Sequence, residues 1–415
     1  MQVSKWVTLL MAILSLIIVA AMLKSTNLYY MASVLMTLPG FSYLIGWFTL
    51  RGLEFERELP GVLWEGETGE VVYSIKNPTR YTRFFLSVSE SFPDWIEAQD
   101  QEPPLFNVAA RDSTRIAHVV RFLKRGVFKA TSFTVQAIDP LGIFTFTKSF
   151  PCEGEIIVYP RPRRLDPLPL SGADRYGWQE FTITAPRGGS VEPDGVREYV
   201  PGDSLRRIHW RQTARTGRLA VLEFEESQSI QIAIYLDLAQ GTDTGKELET
   251  TLEYAVRFAA SAAQQALRQG AGIRLLMPTF DEAPLAISAG AGGRGESHFL
   301  TILDTLARVK STSNEPVEEA LSHAASSLPP GSTLVVITPQ SSKALSNAVV
   351  NCATNSNSNV IVAYIDPDSF TSGKTRGADS QKKQFFNELL AANVLTLLVR
   401  QNAEGDIQPE VKRYV

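Results

Sequence analysis

The thirty residues from Arg197 to Glu226, REYVPGDSLRRIHWRQTARTGRLAVLEFEE, set the reading of the chain on either side of them. Pro201 presets the backbone for the second position of a tight turn, and Gly202 supplies a positive φ after it. Asp203 or Ser204 can then cap a short helix, LRRIHW, by accepting from a free backbone N–H. Five arginines follow within thirteen residues (Arg206, Arg207, Arg211, Arg215, Arg218), with Trp210 among them and no lysine. Glu198, Asp203, Glu223, Glu225 and Glu226 flank them. A guanidinium pairs bidentately with carboxylates and stacks on indole better than an ammonium does. The stretch therefore predicts a fixed arginine–carboxylate–tryptophan cluster, with Arg215 bridged to Asp203 or Glu225 in a buried or half-buried pair. Its tail, LAVLEFE, predicts a strand that joins or forms a hairpin with QIAIYLDL just beyond.

Downstream, continuous apolar strands alternate with longer helices. QIAIYLDLA, IRLLMP, APLAIS, STLVVITP, NVIVAYID and VLTLLV read as strands. LETTLEYAVRFAASAAQQALRQ, HFLTILDTLARV, VEEALSHAASSL, a run from about Lys343 to Thr354, and QKKQFFNELLAA read as helices. This alternation predicts a mostly parallel sheet covered on both faces, with any ligand site outside the carboxyl ends of its strands.

Upstream, residues 54–166 hold VVYSIKN, FFLSVSE, RIAHVVRF, FKATSFTVQAI and EIIVYP, short strands punctuated by Gly, Pro or Asn. They predict an all-β sandwich of immunoglobulin-like size. Between the two units, residues 167–196 are rich in Pro, Gly and Arg and read as a solvated linker with one strand-like run, Phe181 to Thr184. At the start of the chain, Trp6–Leu23 and Leu28–Leu50 carry no charge. At 1.5 Å per residue they span roughly 27 and 35 Å, which predicts a two-helix transmembrane hairpin over residues 1–51. Lys5, Arg51 and Arg57 would share one side of the membrane against Lys24 on the other, so the positive-inside rule puts the large soluble part in the cytoplasm.

The core stretch resembles the bacterial domain of unknown function 58 family. The likeness rests on Arg197, Tyr199, Gly202, Asp203, Arg206, Ile208, Trp210, Ala214, Arg215, Gly217, Leu219, Val221, Phe224 and Glu225, and is joined by RGVF at Arg125–Phe128 and DPLGIF at Asp139–Phe144. Residues 197–415 also resemble a von Willebrand factor A-like domain. That family holds a metal through an Asp-x-Ser-x-Ser motif after the first strand. Here the run is Asp237-Leu-Ala-Gln-Gly241: the aspartate is kept and both hydroxyls are missing. Asp237 is thus a degenerate metal candidate in a domain expected to hold no cofactor. The resemblance further implies partnership with a cytoplasmic MoxR-type AAA+ ATPase and with a transglutaminase-like membrane protein.

Several chemistries find little support. A net charge of −4 gives no general reason to expect nucleic acid. Two cysteines and four scattered histidines form no disulfide framework and no zinc spacing. Gly290–Gly295 matches GxGxxG, but it lies mid-domain in a low-complexity turn, and Ser372-Gly-Lys-Thr375 lacks the first glycine of a P-loop. His209, among arginines, reads as a packing or hydrogen-bonding residue rather than a general base. The expected function is that of a membrane-anchored, non-enzymatic interaction or scaffold protein. Binding of anionic lipid or nucleic acid through the arginines is the first alternative, and a metal-dependent hydrolase using Asp203, Asp237 or Glu198 is the second.

Overall fold

The computed structural model of the chain describes residues 2–99, 104–165, 168, 193–199, 208–224, 231–246, 248–278, 292–329, 331–355, 358–371, 378–401 and 410–411. Helices α1 (Gln2–Leu23) and α2 (Thr26–Thr49) fold back on each other across Lys24 and Ser25. Among the described residues α2 is long and apolar enough to cross a membrane, whereas the apolar part of α1, Val7–Leu23, is shorter. A stripe of mostly small residues on α2, Ala32, Pro39, Ser42, Gly46 and Thr49, is buried. Its spacing keeps it on one helix face, where small side chains let neighbours come close.

Nine strands follow: β1 (Glu54–Glu58), β2 (Val62–Trp64), β3 (Thr68–Lys76), β4 (Arg83–Ser89), β5 (Ile96–Ala98), β6 (Phe106–Val108), β7 (Ser113–Phe122), β8 (Gly126–Ile138) and β9 (Thr145–Tyr159). They make two sheets, ordered β1-β3-β7-β5 and β2-β9-β8-β4-β6. Tyr73, Ile75, Val120 and Phe122 of the first meet Leu86, Val135, Ile156 and Val158 of the second in one core. This is the expected sandwich. Strand β9 is far longer than EIIVYP alone, because between Pro151 and Gly154 it carries a bulge, two of its residues standing opposite the single β8 residue between Ala130 and Ser132. A bulge accommodates the proline that would otherwise end the ladder. Arg57, counted above among the charges on one side of the membrane, has its side chain buried inside the sandwich, 2.6 Å from Glu90.

The second unit opens with β10 (Pro193–Glu198), α3 (Trp210–Thr216) and β11 (Ala220–Phe224), followed by β12 (Gln231–Leu236). A small ladder, β13 (Gly245–Lys246) with β14 (Glu249–Thr250), leads into α4 (Thr251–Arg268) and β15 (Gly272–Leu276). Then come α5 (Gly295–Arg308), α6 (Val317–Ser326), β16 (Thr333–Thr338), α7 (Lys343–Asn355), β17 (Asn359–Ile365), α8 (Ala378–Ala391), β18 (Leu395–Val399) and β19 (Glu410–Val411). The main sheet runs β15-β12-β16-β17-β18-β19, parallel except for β19. Ile232, Ile234 and Leu236 pack toward α4 and α5, while Ala233 and Tyr235 pack toward α6, α7 and α8. Burial on both faces explains why these strands read as unbroken apolar runs.

Two local expectations need correction. Strand β11 pairs antiparallel with β10, not with β12, so the core stretch closes on itself and the second unit begins at Pro193, inside the expected linker. The segment leading into that linker is docked as well: the Arg163 N–H donates to Ser261 Oγ at 2.8 Å, and Gln265 donates to the Leu168 carbonyl at 3.0 Å. Phe181–Thr184 lies outside the described residues, as does APLAIS.

The two units are joined by a reciprocal exchange of charge. Glu253 and Arg257 stand one turn apart on α4, where each meets a partner from the sandwich. Arg257 Nε lies 2.9 Å from Glu65 Oε1, and Arg125 Nε lies 2.9 Å from Glu253 Oε2. All four residues are buried. Burial alone would lower the Arg257 pKa, but the Glu65 bond and the surrounding glutamates raise it above its ordinary value, so it stays charged. Arg125 also donates to the carbonyls of Leu306 and Val309, at 2.5 and 3.1 Å, capping the end of α5. Arg257→Ala should lower stability by about 3–5 kcal/mol, because Glu65 is then left without a cation in the interface. Glu65→Ala should cost less, since Arg257 keeps Glu249 at 3.2 Å. Denaturant unfolding of the full chain in detergent measures this, and the double change Glu65→Met with Arg257→Leu should cost much less than the sum. An Arg257→Ala loss below about 1 kcal/mol would mean that water screens the pair.

Candidate functional site

In a parallel sheet the strand order reverses where ligands bind, just outside the carboxyl ends. Here that point lies between β12 and β16, since β15 follows β12 in the chain but lies on its other side. Asp237 leaves β12 at this crevice and is buried. Its Oδ2 accepts from Thr338 Oγ1 at 2.7 Å and from Gln340 Nε2 at 3.0 Å, both at the end of β16. Its Oδ1 accepts from the Ala239 N–H at 3.0 Å. The loop behind is pinned too, because Ser311 donates to the Ala239 carbonyl at 2.5 Å and Gln240 N–H donates to the Ser313 carbonyl at 2.8 Å.

Burial holds the Asp237 carboxyl above the usual carboxylate range, and the bonds from Thr338, the Ala239 amide and Gln340 offset part of that rise. One carboxylate whose two oxygens are held by protein donors does not fit a magnesium ion, which wants near-octahedral oxygen ligands. Among the described residues no group of three His, Cys, Asp or Glu side chains converges as metal ligands. Thr242 and Asp243, which follow the Asp237 loop, are also engaged locally. Thr242 donates to the Ala239 carbonyl, and Asp243 accepts from Leu252 N–H and Thr251 Oγ1.

A second polar cluster lies two strands away at the end of β17. Asp366 is buried and binds Lys382 from α8, and its other oxygen accepts from Arg400 Nε at 3.2 Å, just past β18. Asp368 stands 3.6 Å from the same lysine. The sequence reading missed this cluster and also missed Glu65, Arg125, Glu253 and Arg257. A signal was present for the α4 pair: two opposite charges at i and i+4 fall inside an alanine-rich, otherwise mostly apolar run.

The core stretch is only partly brought together. Trp210 opens α3 and is 66% exposed, and Arg211 and Arg215 are exposed on the same short helix. Arg215 is thus exposed rather than half-buried, and its expected partners Asp203 and Glu225 lie outside the described residues. The helix also starts later than LRRIHW. Ile208 instead forms a bridge to Val221, and His209 Nδ1 caps α3 by accepting the Gln212 N–H at 3.0 Å. Gly217 ends α3 with φ 72°, a value only glycine adopts freely. Tyr199 N–H donates to the Leu219 carbonyl at 2.9 Å, and Arg197 lies in β10 opposite Val221. Gly202, Asp203, Arg206 and Glu225 lie outside the described residues, as do Gly290 and Ser372–Thr375.

The state of Asp237 gives a sign that can be tested. Its folded pKa is raised, so the ionised form opposes folding above that value, and the penalty fades as pH falls toward the unfolded value of about 3.9. Asn at this position still accepts from Ala239 and bonds Thr338, with the Gln340 amide turned over. Asp237→Asn should therefore melt at or above the native temperature at pH 7.5, with the advantage shrinking as pH falls. Asp237→Ala, which orphans Thr338 and Gln340, should lose about 1–3 kcal/mol. An Asn variant as damaged as the Ala variant at neutral pH would mean that the negative charge itself is needed, and would revive a bound cation.

Comparison with known proteins follows this geometry. Residues 195–369 match the family model described as "Protein of unknown function DUF58", a span that runs from β10 to just beyond β17. The "Uncharacterized protein YeaD" of Bacillus subtilis (strain 168) is 22% identical over 288 residues, covering 67% of each chain. "Uncharacterized protein Rv1480" of Mycobacterium tuberculosis (strain ATCC 25618 / H37Rv) is 32% identical over 120 residues, covering 29% of this chain and 37% of its own length. Among solved structures, a fragment of alpha-2-macroglobulin from Escherichia coli is similar over 26% of this chain and 16% of its own, at 20% identity and a TM-score of 0.22. That last likeness is too slight to carry an argument. The α/β unit, with the arginine-rich stretch at its head, belongs to the DUF58 family of proteins of unknown function.

Proposed function

We propose that this chain is a two-pass inner-membrane protein whose sandwich and α/β units form a cytoplasmic, non-enzymatic docking body. Its partner is a MoxR-type AAA+ ATPase, with a transglutaminase-like membrane protein beside it, in assembly or maintenance of envelope complexes. The observation that carries this reading is Trp210, exposed on α3 in the middle of the family stretch. Large aromatic and arginine side chains dominate the energetics of protein interfaces, and here Trp210, Arg211 and Arg215 all face solvent.

Other features agree. The carboxylate at the sheet's switch point is bonded to the end of β16 and to its own loop, which suits a fold used for its surface. We read the sandwich as immunoglobulin-like and the α/β unit as von Willebrand factor A-like, the latter supported by an aspartate leaving the first strand of a mostly parallel sheet. The hairpin of α1 and α2 supports membrane anchoring, and Lys5 and Arg51 against Lys24 support a cytoplasmic body.

The full chain in detergent should be retained by the cognate ATPase in a pull-down that depends on ATP. Trp210→Ala should weaken that retention by about 30-fold, the factor for a hot-spot loss of about 2 kcal/mol, without lowering the melting temperature. Absence of retention in every nucleotide state would sink the partner, and unchanged retention of the variant would move the docking face away from α3.

A further inference from the structure

The tip of the β8–β9 hairpin, Asp139-Pro-Leu-Gly-Ile-Phe144, does not point into solvent but lies along α2. Ser42 donates to the Asp139 carboxylate, and a Cβ on Gly46 would overlap the ring of Phe146. Tyr43 meets Phe144 and Phe146 edge-on, with ring centroids 5.1 and 5.2 Å away. Farther along, Leu141 and Ile143 line an open apolar cleft of about 470 Å³ together with Leu38 and Pro39 of α2 and Leu9 of α1. The tip therefore reaches eight residues past Trp47, to the level of Pro39, about 12 Å along the helix axis.

Trp47 marks the end of the apolar helix surface. Arg51 stacks on its ring at 3.4 Å, an interfacial pairing of aromatic and cation. On the same level Arg83 donates to the carbonyls of Phe48 and Arg51 at 2.7 and 3.0 Å, closing the helix end. Below this level the side of α2 not covered by the hairpin stays apolar. Phe41 is 66% exposed, and Leu44, Ile45 and Phe48 are exposed beside it. An apolar surface running this far down needs a cover, and the bilayer that holds the rest of α2 supplies it.

Non-helical backbone survives at membrane depth only when its polar groups are satisfied within the protein. The N–H groups of the tip meet that condition, most of them through one side chain. The Asp139 carboxylate accepts from the N–H groups of Leu141, Ile143 and Phe144 at 3.1, 2.6 and 2.6 Å. Gly142 N–H donates to the Asp139 carbonyl at 2.9 Å, and Asp139 N–H donates to the Phe144 carbonyl at 3.1 Å. Pro140 has no N–H to satisfy. A turn exposed to water would not require this, since water would serve the same donors.

Resting on the membrane reading above, we infer that the Asp139–Phe144 tip is a wedge inserted into the acyl region of the bilayer beside α2, with Leu141 facing lipid. The test uses the full chain with Cys152→Ser and Cys352→Ala, carrying a single Leu141→Cys or, as a control on α5, Glu296→Cys. Each is labelled with an environment-sensitive fluorophore and reconstituted into phosphatidylcholine–phosphatidylglycerol vesicles. At position 141 the emission should be blue-shifted, quenched by nitroxide phospholipid and protected from aqueous iodide, while position 296 shows the reverse. Protein that floats with the vesicles but is quenched by iodide equally at both positions overturns the wedge and leaves the anchor intact. Protein that does not float overturns both. Leu141 is already exposed, so its replacement does not threaten folding.

Discussion

The exchange of two arginines and two glutamates between the sandwich and α4 is the constraint on which the arrangement of this protein depends. A buried ion pair is a poor source of net stability, because desolvation consumes most of its Coulomb energy. Its strength lies in what it forbids. Any rotation of one unit against the other would leave a bare charge in a dry interface, so the two units keep one mutual orientation. Arg125 extends the effect by capping α5, which means that the last turn of a helix in one unit is completed by a side chain of the other.

That arrangement links places that look separate in the sequence. The segment after α5 runs from the carbonyls held by Arg125 to Ser311 and Ser313, which pin the loop behind Asp237. The sheet's switch point therefore leans on the interface through fewer than ten residues. A carboxylate already occupied by Thr338, Gln340 and a backbone amide, on a loop already pinned, belongs to a part of the molecule built to hold shape. The exposed tryptophan of α3 sits on the opposite kind of element, short and on the surface.

Much of this was legible in the sequence where periodicity and burial agree. The apolar runs of β12, β16, β17 and β18 and the amphipathic α4 and α5 appear where the pattern put them, as does the sandwich. The failures have physical causes. Strand β9 was truncated because Pro151 and Gly154 read as breaks, and only the bulge between them in β9 itself makes room for them. LAVLEFE was paired with the next strand in the chain, yet β10, whose PDGVRE sequence carries little strand propensity, is its partner. The arginine-rich stretch suggested burial because guanidinium pairs well with carboxylate, but charge alone does not say whether a cluster faces inward, and Trp210 and Arg215 face out. The interface pairs were hidden because each joins residues more than a hundred positions apart.

One strand joins these parts. Arg125, just before β8, grips the α/β unit, and Asp139, just after it, grips α2, so RGVF and DPLGIF are the two ends of a single extended element. Thirteen residues of strand measure about 40 Å. That length works as a ruler. It sets the distance between the α/β unit and α2 and lets a load applied to that unit travel straight into that helix, along hydrogen-bonded backbone rather than slack chain. A pull on this body would thereby be a pull on α2.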